Sequence, residues 1–93
     1  MGVPRYNAAV DGNQVEIVKA LRDIGLSVAI LREPCDIAVG HRDRTYLFEI
    51  KKSAKAKRTP NQIKFERTWR GHFEVVWTLG QILDTVFGRQ TLH

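Results

Sequence analysis

The stretch from Pro34 to Lys51 constrains this chain more than any other part of it. Two short apolar runs, Asp36–Val39 and Tyr46–Ile50, flank the polar turn His41-Arg42-Asp43-Arg44. Runs of that length on either side of a polar turn spell a β-hairpin, here with a four-residue loop. With that loop Gly40 faces Thr45, Ala38 faces Leu47 and Asp36 faces Glu49. Successive side chains alternate faces, and opposed residues share one. One face then carries Asp36, Ala38, Leu47, Glu49 and Lys51. The other carries Ile37, Val39, Tyr46, Phe48 and Ile50 and is expected to be core. A slip of one residue would drag a carboxylate into that core, so the alternation selects the first register.

This register sets two carboxylates opposite each other, with a lysine two residues on. Like charges opposed in a sheet repel. Two arrangements answer that repulsion. A cation can sit between the carboxylates, or Asp36 can begin an edge strand while Glu49 pairs with Lys51 or a nearby arginine on a solvated face. Cys35, the chain's single cysteine, rules out an internal disulfide framework and reads as a small core residue rather than a nucleophile. His41, His72 and His93 lack zinc-ligand spacing.

The rest of the chain supplies helices and two more strands. Residues 1–10, with Pro4 and no clear period, read as an arm. Asp11 or Asn13 can cap a first helix that Gly25 ends. Ile17, Leu21 and Ile24, with Val18 alongside, form its core stripe. Glu16 sits in the first turn, where Asn13-x-x-Glu16 resembles a capping box and an acid suits the helix dipole. Ser27–Leu31 reads as a first strand, so strands one to three form an antiparallel meander. Lys51-Lys52-Ser53-Ala54-Lys55-Ala56-Lys57-Arg58 holds five cations and no acid. It reads as a basic loop, either a solvated charge run or a phosphate-contacting segment. Thr59-Pro60-Asn61-Gln62 opens a second helix with a capping residue, a proline at the first helical position and a capping-box glutamine. On it Phe65 and Trp69 share a face, Lys64, Arg67 and Arg70 add cations, and Gly71 closes it. Phe73–Trp77 reads as a fourth strand buried on both faces and parallel to the third. Ile82, Leu83, Val86 and Phe87 mark a short helix ending at Gly88. The expected order is α-β-β-β-α-β-α, an α/β fold with a mixed four-stranded sheet flanked by helices. Residues 11–88 form one domain, and 89–93 are a tail.

Length and charge narrow the class. A chain of 93 residues is one domain near the lower limit of self-sufficient cores. A net charge of +5 and a pI near 9.8 favour a polyanionic partner, although such charge also serves solubility. No apolar run approaches about 18 residues, so no membrane span is expected. The first residues lack a signal-peptide core and a myristoylation pattern, so the expected location is cytoplasmic.

These residues together resemble the VRR-NUC branch of the PD-(D/E)XK nucleases, in its stand-alone form. The matching pattern is Pro34-Cys35-Asp36 followed by Glu49-Ile50-Lys51, with an extra Cys between Pro and Asp. Thr59-Pro60-Asn61-Gln62-Ile63-Lys64-Phe65 is similar to that branch's S/T-P-x-Q segment, and Asn13-Gln14-Val15-Glu16 to its early acid. The resemblance spans about residues 11–87. It implies a restriction-endonuclease-like core and a metal-dependent DNA endonuclease using Mg²⁺ or Mn²⁺ and no small-molecule cofactor. Asp36, Glu49 and the Ile50 carbonyl would be the metal ligands. Glu16 would bind a second ion or an outer water. Lys51 would orient the attacking water or stabilise the pentacovalent state. Gln62 would position water or Lys51, alongside its capping role. The implied products are a 5′-phosphate and a 3′-hydroxyl. Lys52, Lys55, Lys57, Arg58 and Lys64 would hold backbone phosphates, which gives affinity without sequence choice. Similarity of stand-alone members to junction-resolving enzymes further implies branched or duplex DNA and a homodimer. Trp69, Phe73 and Trp77 are interface or core residues on this reading. Two rivals remain. The order α-β-β-β-α over residues 13–70 is also that of a double-stranded-RNA-binding domain, which needs no opposed carboxylates. A nuclease fold kept as a structural partner would not need Asp36, Glu49 and Lys51 intact.

Overall fold

The computed structural model describes residues 13–88. The expected arm, the alternative cap Asp11 and the tail lie outside the described residues. The elements run α1(Gln14–Ile24), β1(Ser27–Ile30), β2(Ile37–His41), β3(Arg44–Ile50), α2(Pro60–Thr68), β4(Glu74–Val76) and α3(Leu79–Val86). The fold is α/β: a mixed four-stranded sheet in the order β1-β2-β3-β4, flanked by helices. β1, β2 and β3 form the antiparallel meander, and β4 joins β3 in parallel.

α1 forms where local signals and a buried stripe agree. The Asn13 side chain accepts from the Glu16 N–H, and Gly25 closes the helix at φ +106, a conformation that costs glycine little. Ile17, Val18, Ala20 and Leu21 are buried. They meet Ile37, Val39, Phe48 and Val76 of the sheet, and Leu79, Ile82 and Val86 of α3, in one apolar cluster. The alternation expected for the hairpin is therefore realised. Ile37, Val39 and Phe48 have no exposed surface, and Ala38 pairs with Leu47 on the opposite face.

Four expectations need correction. The hairpin loop is two residues, not four, because His41 pairs with Arg44 and extends the ladder. Arg42 and Asp43 both lie at positive φ, 52 and 65, which gives the backbone the twist a two-residue hairpin needs. Asp43 tolerates that conformation, and Arg42 is an unusual occupant that the ladder holds there. β2 begins at Ile37, and Asp36 belongs to the bend before it. β4 is not buried on both faces. It is a three-residue strand at the sheet edge among the described residues, and only its Val76 is buried, in the core cluster with α1 and α3. α2 stops at Thr68, short of Gly71, because Trp69 turns extended (ψ 132) and its indole N–H donates to the His72 carbonyl at 3.1 Å.

The last departure concerns α2 as a whole. It carries the Thr59 cap, Pro60 and the completed capping box, yet it buries no residue. Ile63 and Trp69 are exposed and Phe65 is half-buried. Phe65 stacks on Trp69 and meets Phe73 edge-on. Of the three aromatics weighed as core or interface, Phe73 and Trp77 are half-buried and Trp69 is exposed.

Candidate functional site

The site is built at the exit of β3. Glu49 lies on the face opposite the apolar core, yet it is buried, with 6% of its surface exposed. Its Oε2 accepts from the Gln62 side-chain amide at 2.6 Å and stands 3.4 Å from the Lys51 ammonium. The capping box determines how Gln62 points. Its amide oxygen accepts from the Thr59 N–H at 3.2 Å, which leaves the amide NH₂ to reach Glu49. The capping contacts of Gln62 and its hydrogen bond to Glu49 therefore coexist in one residue.

Asp36 reaches the same place from the bend. Its N–H donates to the Phe48 carbonyl at 3.2 Å, and its Oδ2 accepts from the Ile50 N–H at 2.7 Å. Asp36 is thus tied to the backbone of β3 on both sides of Glu49. Ile50 enters the site through this N–H. Asp36, Glu49 and Gln62 line a cavity of about 310 Å³ together with Arg32, Asn61 and Phe65, among others.

The electrostatics follow from this crowding. Burial, and next the charge of Asp36, push the Glu49 carboxyl above its ordinary range, and Lys51 only partly offsets them. Burial also pushes the Cys35 thiol up to about 11, with the two carboxylates adding to the effect. Cys35 is 2% exposed and stays a thiol at neutral pH, as expected of a core residue.

The structure brings together Asp36, Glu49, Lys51 and Gln62, and the backbone of Ile50. It does not bring Glu16 to them. Glu16 is exposed in the first turn of α1, its N–H held by Asn13, and it does not line the cavity. Among the described residues no three His, Cys, Asp or Glu side chains converge on one point. The residues fit a hard divalent cation only in the sparse manner of Mg²⁺, which keeps waters and takes one or two carboxylates besides substrate phosphate oxygens. Lys52, Lys55, Lys57 and Lys64 are exposed, with the loop ordered by a turn at Ser53. Arg58 is different: it pairs with Glu66 of α2. Arg32, which lines the cavity, escaped the sequence reading. The signal was a cation two residues before the proline of the Pro34-x-Asp36 element.

No helix among the described residues is long and apolar enough to cross a membrane. Comparison with protein-family models, with curated proteins and with solved structures returns no match to this chain.

Proposed function

We propose that this chain is a metal-dependent DNA endonuclease with a PD-(D/E)XK-type site at Asp36, Glu49 and Lys51. The observation that carries the proposal is the convergence on Glu49: a buried carboxylate that shares a cavity with a second carboxylate, faces a lysine and is gripped by a helix-capping glutamine. A structural sheet position gains little from two mutually repelling acids, one of them buried. Asp36 and Glu49 would hold Mg²⁺ or Mn²⁺. A bound divalent cation lowers the pKa of its water and stabilises charge growing on phosphorus. Lys51 carries its positive charge beside that place. Gln62 is a positioning residue: it orients Glu49 and touches no reacting atom. The exposed lysines of the 51–58 loop, with Lys64, supply phosphate contacts, and the net charge of +5 agrees with a polyanionic substrate. Branched DNA and a homodimer are the finer form of this proposal and rest on the resemblance alone.

The test is cleavage of a labelled four-way junction beside a linear duplex of the same arms, with Mg²⁺, Mn²⁺ or chelator. Cutting should require metal and fall by about 10²-fold or more in Glu49→Ala and Lys51→Ala. Gln62→Ala should lose about 10- to 100-fold, as the partners of metal ligands do. Cuts confined to the junction favour the branched-DNA form. Tight, salt-sensitive binding with no cutting in either metal would replace the proposal with a nucleic-acid-binding module.

A further inference from the structure

The C-terminal end of α2 carries a second cluster that the site above does not use. Arg67, Thr68, Trp69 and Arg70, all exposed, line an open depression of about 670 Å³ at the surface. Arg67 and Arg70 are exposed, and neither makes an ion pair among the described residues. The nearest acid along the helix, Glu66, is engaged by Arg58.

Trp69 is 46% exposed, yet it is held firmly. Its ring stacks on Phe65 at 5.2 Å between centroids and 24° between planes, and its N–H donates to the His72 carbonyl. Gly71 leaves room for it, since a Cβ there would lie 2.9 Å from the indole nitrogen. A large aromatic that is half open but fixed, lining the same pocket as two arginines that make no ion pair among the described residues, suits one chemistry. A flat π-system stacks on the ring while flanking anions meet the arginines. A nucleotide with its neighbouring phosphates is that ligand.

We propose that Trp69, Arg67 and Arg70 form a subsite for an unpaired nucleotide of a DNA strand, with the base on Trp69 and the phosphates on the arginines. This deepens the nuclease reading and rests on it for the choice of DNA. Phe65 links the two places, because it lines the cavity of Asp36 and Glu49 and also supports Trp69. Gln62 and Trp69 are seven residues apart along α2, roughly 10 Å at about 1.5 Å per residue. That is about three nucleotides at a rise of about 3.4 Å. Bases inside a duplex present no free face to a ring, so the subsite selects DNA with unpaired nucleotides close to the cut.

The test is binding in chelator, where cleavage plays no part. In a Trp77→Phe background Trp69 is the remaining tryptophan, and a 12-nucleotide thymidine strand should quench its fluorescence. Trp69→Ala should weaken binding of that strand by about five- to hundredfold, and leave binding of a 12-base-pair duplex within about twofold. Trp69→Phe keeps a ring and should lose less than Trp69→Ala. The paired change Arg67→Ala with Arg70→Ala should flatten the dependence of log affinity on log salt by about 1.4 for the single strand. Thermal melts identify any variant that fails to fold, and the remaining variants then decide. Fluorescence unmoved by a saturating strand, or equal losses on strand and duplex in Trp69→Ala, overturns the subsite. Persistent quenching in a protein that never cuts DNA would remove catalysis and leave the subsite standing.

Discussion

Two helices of this chain start with the same device and end in different circumstances. α2 and α3 each open with a threonine cap and a glutamine three residues on, Thr59 with Gln62 and Thr78 with Gln81, and both boxes are complete. Each helix also binds a strand carboxylate at 2.6 Å, Gln62 to Glu49 and Thr85 to Glu74. Yet α3 buries Leu79, Ile82 and Val86, and α2 buries nothing. A cap decides where a helix begins. Burial decides whether the helix carries the fold or is carried by it. α3 is part of the core, while α2 is an arm laid over the polar face, held by its cap and its hydrogen bond to Glu49.

The strongest way to break this comparison is to truncate one isoleucine on each helix. Ile82 has no exposed surface and Ile63 is 49% exposed. Ile82→Ala should cost about 2–5 kcal/mol, as buried truncations do. Ile63→Ala should stay within about 0.5 kcal/mol. Urea midpoints at fixed pH check both. Equal losses would mean that α2 is packed after all.

The contrast between the helices was only half visible in the sequence. Thr-Pro-Asn-Gln at residues 59–62 announces the start of α2 through local chemistry, and the structure agrees. The hairpin register was visible too, because Ile37, Val39 and Phe48 alternate with Ala38, Leu47 and Glu49, and only one register keeps the first set together. The two-residue turn was hidden, since Arg42 has no preference for the left-handed backbone that the paired strands impose on it. The exposure of α2 was hidden for a related reason. Phe65 and Trp69 share a helix face that could pack on a core, and nothing local says that the apolar face of the sheet is already filled by α1 and α3. At the site, Asp36, Glu49 and Lys51 were legible because they lie across one hairpin, whereas Gln62, 13 residues beyond Glu49 on α2, was named for the site only through the resemblance. The expected place of Glu16 depended on how a distant helix docks, which spacing does not encode.

The two strand carboxylates sharpen the comparison through pH. Glu49 is raised by burial and by Asp36. Glu74 is lowered, first by its hydrogen bond from His72, with Thr85 adding to it against a smaller opposing effect of burial. The signs are therefore opposite. A raised carboxyl gives stability that is fully present below its unfolded pKa and is lost as pH rises through its folded pKa. A lowered one gives stability that is present above its unfolded pKa and is lost as pH falls through its folded pKa. Relative to Glu49→Gln, the wild type should lose stability as pH rises from the ordinary carboxylate range upward. Relative to Glu74→Gln, it should lose stability as pH falls below that range. Urea midpoints from below the ordinary carboxylate range up to neutral pH check both slopes. A Glu49 difference that grows with pH would mean that Lys51 outweighs burial and Asp36.

The smallest effect tests the caps themselves. Thr59→Ala and Thr78→Ala remove the same hydroxyl acceptor, 3.2 Å from the third helical N–H in both boxes. In a packed helix the loss should appear in global stability, about 1 kcal/mol for Thr78→Ala, because α3 unfolds only with the core. In α2 the same loss should be largely local. Unfolding α2 exposes no buried side chain of its own, so its amides can open without the core. Thr59→Ala should therefore shift the global midpoint by no more than a few tenths of a kcal/mol, while amide exchange across residues 62–68 speeds up about fivefold, the local equivalent of about 1 kcal/mol. The Thr59 N–H that orients the Gln62 side chain is kept in Thr59→Ala, so Gln62 loosens its hold on Glu49 only as the first turn of α2 frays, and activity should fall more than global stability does. Matching global losses for the two threonines would show that α2 unfolds with the core and that the division between the two helices is false.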